Sequence, residues 1–327
     1  MYKRGGIILT ALLLGIVIPG VIFSLPKQPM QEETKPTAHQ EQTQSVETVA
    51  KQEKEYVIPI LMEDGTVQNM QLNEYITGVV LREMPASFEA EALKAQAVVA
   101  RTYALKQYAS AKKHPGCAAC TDSNCCQGFW QPEGYLSSGG DTQSLDKIRQ
   151  AVEDTKDLVL QYEGKLIDAT YFSCSGGKTE DACAVWGSDV PYLQSVESPG
   201  EEKAEHYTDT VTYSLTEFQT LLDAQWDGPA EAWIGSISYT DGGGVAEIEI
   251  GEDVFDGVTL RRRLGLRSTA FAITVLGDTV TVTTKGYGHR VGMSQYGADA
   301  MAVGGSDFRQ ILSHYYPGTE LVSLDNN

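Results

Sequence analysis

Residues 75 to 103 decide the fold. They read Tyr75-Ile-Thr-Gly-Val-Val-Leu-Arg-Glu-Met-Pro-Ala-Ser-Phe88 and, two residues later, Glu91-Ala-Leu-Lys-Ala-Gln-Ala-Val-Val-Ala-Arg-Thr-Tyr103. Pro85 divides the stretch, because the residue before a proline avoids the helical conformation. We therefore predict two helices, the first capped by Asn73 and ending near Arg82 or Glu83.

The second predicted helix runs from Phe88 to about Ser110. Ser87 can cap its first turn, and Glu89 and Glu91 suit the positive end of the helix dipole. One face carries small apolar residues that allow close packing against another element. The residues of that face are Leu93, Ala97, Ala100 and Ala104.

The remaining pattern mixes strands and helices without an internal repeat. Turn residues Glu63-Asp64-Gly65 and Glu163-Gly164 each indicate a hairpin. We predict an α+β fold with mixed or antiparallel sheets. The predicted strands are 56–62, 66–72, 158–162, 166–173, 234–239, 245–250, 271–276 and 279–284. The other predicted helices are 144–157, 215–225 and two short ones after Gly292 and Ser306.

The N-terminal segment has the composition of a membrane anchor. Residues 1–4 carry Lys3 and Arg4, and residues 5–24 form an uncharged apolar run about as long as the hydrocarbon core requires. The positive end predicts that residues 1–4 stay in the cytoplasm. Residues 25–54 are polar and predict a disordered tether, which leaves 55–327 as an extracytoplasmic domain. A cleaved signal peptide is the alternative.

The charge balance argues against one class of partner. The formal net charge is −19, and the longest basic run is Arg261-Arg262-Arg263. Affinity for nucleic acid depends largely on neutralising phosphates, so we expect no nucleic-acid partner.

Three blocks together resemble the stage II sporulation protein D family. The first is the opening stretch, with its Glu83-Met-Pro. The second is Tyr171-Phe-Ser-Cys-Ser-Gly-Gly-Lys-Thr-Glu180, and the third is Lys285-Gly-Tyr-Gly-His-Arg-Val-Gly-Met-Ser-Gln-Tyr-Gly297, followed by His314-Tyr-Tyr-Pro-Gly-Thr-Glu-Leu321. The order of the blocks agrees with the family, and the match covers about residues 56 to 321.

The resemblance implies a membrane-anchored lytic transglycosylase. Such enzymes cleave peptidoglycan strands that have lost their peptides, between N-acetylmuramic acid and N-acetylglucosamine, during engulfment of the forespore. It also implies an intermembrane location and sporulation proteins P and M as partners. An amidase enhancer is related, so a non-catalytic wall-binding module that activates an amidase is the alternative.

On this resemblance Glu83 is the catalytic acid. A protonated Glu83 can donate to the glycosidic oxygen as the bond breaks through an oxocarbenium-like state. The resulting carboxylate can then take the proton of the C6 hydroxyl, which closes on C1 as a 1,6-anhydro ring. Neither step needs a second carboxylate, but the first needs a desolvated setting that keeps Glu83 protonated.

Further polar and aromatic residues are candidates for binding sugar. Lys94 and Arg101 lie seven residues apart and share a helix face, which fits a site for sugar hydroxyls or the muramic carboxylate, or an exposed basic stripe. The resemblance places the block around His289 in the cleft. The remaining candidates are Tyr171, Ser173, Tyr287 and Gln295.

The Cys-rich loop, residues 114–128, predicts a structural zinc site. The candidate ligands are His114, Cys117, Cys120, Cys125 and Cys126, one more than a closed tetrahedral site needs. The loop resembles the zinc segment of some family members, which implies His114, Cys120, Cys125 and Cys126 as ligands and Cys117 as the extra thiol. Disulfides within the loop are the alternative.

Two other chemistries receive weaker support. A zinc hydrolase usually carries spaced His and Glu ligands, and His-Glu-x-x-His does not occur. Cys174 could act as a nucleophile with His206 or His289 as base, or form a disulfide with Cys183.

Overall fold

The computed structural model describes residues 56–326. The predicted anchor at 5–24 and tether at 25–54 lie outside the described residues. Within the described part, no helix is both long and apolar enough to span a bilayer.

The described chain is an α+β fold, as predicted, with mixed and antiparallel sheets. Its helices are α1 Leu72–Glu83, α2 Ala90–Ser110, α3 Pro132–Ser137, α4 Thr142–Asp154, α5 Ala182–Trp186, α6 Leu215–Leu222, α7 Gly257–Arg263, α8 Gln295–Val303 and α9 Phe308–Tyr315. Its strands are β1 Val57–Leu61, β2 Val67–Gln71, β3 Ala119–Cys120, β4 Leu158–Tyr162, β5 Lys165–Leu166, β6 Tyr171–Phe172, β7 Thr208–Ser214, β8 Ile234–Tyr239, β9 Val245–Ile250, β10 Asp253–Asp256, β11 Ala270–Leu276, β12 Thr279–Lys285, β13 Met293–Ser294 and β14 Glu320–Ser323.

Helix α2 is the centre of the larger core. It packs against α1, α4, α8, α9 and strand β4, and the predicted small-residue face is fully buried at Leu93, Ala97, Ala100 and Ala104. Small side chains let these neighbours approach closely. The core therefore fixes the end of α1, where Glu83 lies, against several elements at once.

The segment of the chain from β7 to β12 forms a second hydrophobic core. Sheets β11-β12-β7 and β10-β9-β8 pack with α6 and α7 around aromatic residues. The aromatic members are Phe218, Trp226, Trp233 and Phe271. This part of the chain separates the Tyr171 block from the His289 block in sequence.

Both predicted helix caps are wrong. Helix α1 begins at Leu72, so Asn73 lies inside it, where its Oδ1 accepts a hydrogen bond from Arg101 Nη2 at 3.3 Å. Helix α2 begins at Ala90, because Ser87 lies inside a turn that is closed by a hydrogen bond from Phe88 N to Pro85 O. A tertiary contact holds Asn73 and a local turn holds Ser87, so neither residue takes the predicted capping position.

The predicted strand 166–173 is two short strands. Strand β5 pairs with β4 only through Lys165 and Leu166, and the chain then turns at Asp168. Strand β6 instead pairs in parallel with β13. This break carries Tyr171 and Ser173 away from the hairpin and places them beside the start of α8.

Candidate active site

Two adjoining cavities form one groove past the end of α1. Their volumes are about 590 Å³ and about 460 Å³. Both are lined by Arg82, Glu83, Ser173 and Gln295. Glu83 therefore lies where the two cavities adjoin.

The Glu83 carboxyl group is half-buried and held by the backbone of the Cys-rich loop. Its Oε1 accepts a hydrogen bond from Gly128 N at 2.5 Å. Burial raises the pKa of Glu83 above its ordinary value, while the Gly128 N–H, the Arg82 charge and the Tyr171 hydroxyl act in the opposite direction. Burial prevails, so the site favours the protonated form that a general acid needs.

A chain of buried side chains holds Tyr171 beside Glu83. Gln127 is fully buried and donates through Nε2 to Tyr171 Oη at 3.3 Å. Its Oε1 accepts from Tyr75 Oη at 3.2 Å. A satisfied buried network of this kind fixes side-chain positions. Gln127 and Tyr75 therefore support Glu83 indirectly, through Tyr171.

The predicted sugar-binding residues from the two later blocks meet in the groove. Tyr171, Ser173, Tyr287, His289 and Gln295 all line the larger cavity. Pairing of β6 with β13, and a bridge between Cys174 and Tyr287, bring the two blocks together. Gln295 is buried, and its Nε2 is a donor without a partner among the described residues. A sugar acceptor would satisfy that donor.

His289 contributes an aromatic surface to the groove. Its Nδ1 accepts a hydrogen bond from Val291 N at 3.1 Å. Burial, with a smaller effect of Arg261, lowers the pKa of His289 to about 4, so the ring is neutral near pH 7. Its ring packs against Phe172 and against Trp186, whose side chain is 45% exposed.

Two of the predicted sugar-binding residues do not reach the groove. Arg101 has no exposed surface, and its guanidinium donates to the carbonyl oxygens of Val152, Thr155 and Leu158. Lys94 forms ion pairs with Glu91 at 2.9 Å and Asp154 at 3.0 Å. Helix α4 and its following turn cover this face of α2, so the prediction that it binds sugar is corrected.

The Cys-rich loop gathers four possible metal ligands. The donor atoms of His114, Cys120, Cys125 and Cys126 all lie within 4.8 Å of one another. Cys125 Sγ is 3.3 Å from His114 Nε2 and 4.0 Å from Cys126 Sγ. A tetrahedral Zn²⁺ with Zn–S bonds of about 2.3 Å places its ligand atoms roughly 3.5–3.8 Å apart, so the set fits zinc. Cys117 lies outside this group, as predicted for the extra thiol.

Cys174 has the wrong environment for a nucleophile. The residue is fully buried, and its thiol donates to Glu201 Oε2 at 3.2 Å. Burial raises its pKa to about 12, which removes the reactive thiolate at neutral pH. Cys174 and Cys183 are both free thiols, the first buried and the second exposed, so the disulfide considered from the sequence does not form.

Sequence reasoning missed several residues of the site. Arg82 adjoins Glu83, Gly128 donates a hydrogen bond to it, and Gln127 holds Tyr171. His206, considered from the sequence only as a base for Cys174, lines the smaller cavity. Arg82 is next to Glu83 in the sequence, which was a usable signal. Gly128 donates its backbone N–H to Glu83, and a glycine in the Cys-rich loop does not by itself indicate which distant side chain it approaches.

Comparisons with known proteins identify the family of the chain. A family model described as Stage II sporulation protein matches residues 63–162. The chain is 40% identical over 296 residues to stage II sporulation protein D of Bacillus amyloliquefaciens, covering 89% of this chain and 86% of the relative. It is 40% identical over 265 residues to stage II sporulation protein D of Bacillus subtilis (strain 168), covering 80% and 77%.

A more distant relative carries a different name. The chain is 31% identical over 301 residues to the amidase enhancer of Bacillus subtilis (strain 168), covering 76% of this chain and 40% of that protein. The sequence identity with the two sporulation proteins, and the share of each chain that is covered, establish the family of this chain. The chain belongs to the stage II sporulation protein D family.

Proposed function

We propose that the chain is a lytic transglycosylase that cleaves peptidoglycan between N-acetylmuramic acid and N-acetylglucosamine, in strands from which the peptides have been removed. The observation that carries this proposal is the position of Glu83. Its carboxyl group has a raised pKa and lies where two cavities join, so a strand running through both would place one bond beside it.

The proposed reaction uses the Glu83 carboxyl group twice. Protonated Glu83 gives its proton to the glycosidic oxygen while the bond from C1 to that oxygen breaks, leaving oxocarbenium character on the muramic ring. The Glu83 carboxylate then accepts the proton of the C6 hydroxyl as O6 bonds to C1. The products are a 1,6-anhydro-muramic end and a new N-acetylglucosamine hydroxyl, and Glu83 is protonated again.

The surroundings of Glu83 suit both steps. Gly128 N–H and the Tyr171 hydroxyl stabilise the carboxylate formed after the first transfer. The neutral His289 ring and the exposed Trp186 offer faces on which a pyranose can stack. Among the described residues that line the groove, Glu205 is another carboxylate, and it is exposed to solvent. A hydrolytic pathway would have to use such a second carboxylate to activate water.

We also propose a structural zinc ion held by His114, Cys120, Cys125 and Cys126. Four protein ligands leave no coordination position for water, so the ion would be structural and would cross-link the loop. The loop that these residues close ends at Gln127 and Gly128, which hold Tyr171 and Glu83. The metal-binding residues would therefore stabilise the site from one side.

We propose that residues 5–24 anchor the chain in the cell membrane in a single pass, with 55–327 on the outer side, in the intermembrane space during engulfment. The positively charged Lys3 and Arg4 support this orientation. Sporulation proteins P and M are the proposed partners. Protease added to protoplasts should remove the outer domain, and protection of that domain would contradict the orientation.

A second candidate function is activation of an amidase without cleavage of glycan. Similarity to the amidase enhancer favours it. The half-buried Glu83 with its raised pKa favours catalysis, because a binding module gains nothing from a carboxyl group whose protonated form is favoured.

The distinguishing experiment is mass spectrometry of the soluble products released by the purified outer domain from peptide-free glycan strands. We expect 1,6-anhydro-muramic ends and no new reducing ends. Reducing ends would instead show a hydrolase. No products from glycan, together with stimulated release of peptides by an added amidase, would establish the second candidate.

A further inference from the structure

The groove contains an arginine that the proposed reaction does not use. Arg82 lines both cavities, directly beside Glu83 at the end of α1, and its side chain is exposed. Among residues 56–326, its guanidinium forms no ion pair and no hydrogen bond. Its stem packs over Gly128, since a Cβ built there would lie 2.7 Å from Arg82 Cγ.

The other ionisable groups that line the groove do not offer a second cation with unused hydrogen-bond donors. Lys113 lines the larger cavity, but its ammonium group donates to Cys125 O and to Tyr103 Oη. Glu83 and Glu205 are acidic. His289 is neutral near pH 7. Arg82 is thus a cation that lines the groove and whose donors have no hydrogen-bond partner among the described residues.

The stripped glycan presents an anion that matches this cation. Each muramic residue without a peptide carries a free lactyl carboxylate, whereas an attached peptide converts that carboxyl into a neutral amide. The chain itself has a net charge of −19, so it repels a polyanionic strand except where a local positive charge compensates. Guanidinium groups bind carboxylates through two parallel hydrogen bonds.

We infer that Arg82 is a specificity-determining residue that recognises the free lactyl carboxylate of the muramic residue beside the cleaved bond. This inference rests on the proposed function for its substrate, and it assigns the preference for stripped strands to one side chain. The competing explanation is that Arg82 only stabilises the C-terminal end of the α1 dipole.

Binding measurements can separate the two explanations without cleavage. All variants carry Glu83→Gln, so substitution of Arg82 cannot act by changing the pKa of Glu83. The ligands are stripped glycan strands of one length, either unmodified or with the lactyl carboxyl groups converted to primary amides. Equilibrium binding of both ligands is measured by calorimetry for the parent, for Arg82→Gln and for Arg309→Gln, which removes an exposed charge on α9 outside the groove.

We expect the parent and Arg309→Gln to bind the free-acid strand about tenfold more tightly than the amidated strand, as one charge-assisted pair allows. Arg82→Gln should bring that ratio close to one, and Arg82→Lys should restore part of it. The inference is overturned if the parent shows no preference, if it binds neither strand, or if Arg82→Gln keeps the ratio. A tenfold preference in the parent that Arg82→Gln abolishes, together with no cleavage of glycan by the wild type, would refute the proposed reaction and leave the role of Arg82 intact.

Discussion

The contact between Gly128 and Glu83 makes a sharp prediction for Gly128→Ala. The Gly128 backbone lies outside the left-handed region, so alanine can adopt its conformation. An added Cβ, however, would lie 2.9 Å from Glu83 Oε1 and 2.7 Å from Arg82 Cγ. Both neighbours are side-chain atoms that can move, so we expect the domain to fold and the carboxyl group to be displaced.

The size of the effect follows from the distances. Relaxed contacts between such atoms are about 3.5 Å or longer, so Glu83 must retreat by roughly 0.5–1 Å. A misplacement of about 1 Å at a reacting group can cost about 10²-fold. We therefore expect kcat/KM to fall between roughly tenfold and 10²-fold. Weakening the Gly128 N–H bond also removes an influence that lowers the pKa of Glu83, so the alkaline limb of the pH profile should move to higher pH.

The assay is the rate of release of soluble fragments from peptide-free glycan across pH, with thermal unfolding measured in parallel. Gly134→Ala in α3 is the matched control, because its added Cβ would meet its nearest neighbours at 3.5 Å and alanine favours a helix. Unchanged kcat/KM in Gly128→Ala at preserved stability would refute the assigned role of Gly128. Equal losses in both variants would refute it as well.

Four further predictions concern the zinc ligands, His289, Arg101 and Lys94. Elemental analysis should find about one zinc ion per chain in the wild type and in Cys117→Ser, and none in Cys126→Ser. The reverse pattern would show that Cys117 is a ligand and Cys126 is the extra thiol. The pKa of His289 is lowered in the folded state to about 4 from 6.5, so the free energy of unfolding should fall by roughly 3 kcal/mol as pH falls through that range. The fall should be smaller in His289→Asn, and denaturant titrations at pH 7 and pH 4.5 can measure both. Arg101→Met should lower the unfolding free energy by about 3 kcal/mol or more, because the carbonyl groups it satisfies lose their donors. Lys94→Gln should change glycan binding by less than twofold, since Lys94 lies outside the groove; a larger loss would restore its predicted role.

The first helical pair could be predicted because local signals agree there with tertiary packing. Pro85 ends α1 where Glu83 is needed, and the alanine face of α2 is buried as its composition indicates. The predicted caps at Asn73 and Ser87 are wrong, since Asn73 is held by the distant Arg101 and Ser87 lies in the turn that follows Pro85.

Some candidate site residues could be predicted from the sequence and others could not, for a physical reason. Tyr171, Ser173, Tyr287, His289 and Gln295 were found through the blocks that resemble the family, and sheet pairing then brings them together. Helical spacing showed that Lys94 and Arg101 share a face. Spacing alone does not tell whether such a face is covered, and α4 covers this one.

The Cys-rich loop could also be predicted only in part from the sequence. Four ligands could be selected from five candidates, and their donor atoms do converge. The connection from this loop to the acid runs through Gly128 N–H and the buried Gln127 amide. Neither group has a spacing rule, so a structure is needed to see that the loop supports the groove.

The most direct test of the central claim is the rate and end-group analysis of peptide-free glycan digested by wild type and by Glu83→Gln. Glutamine keeps the shape of the side chain but can neither deliver an acidic proton nor act as a base. Positioned acid–base catalysis contributes roughly 10²–10⁴-fold, and Glu83 is assigned both steps, so activity should fall to near background while the variant stays folded. The wild type should yield 1,6-anhydro-muramic ends. Full activity in Glu83→Gln would contradict the assignment of Glu83 as the catalytic acid.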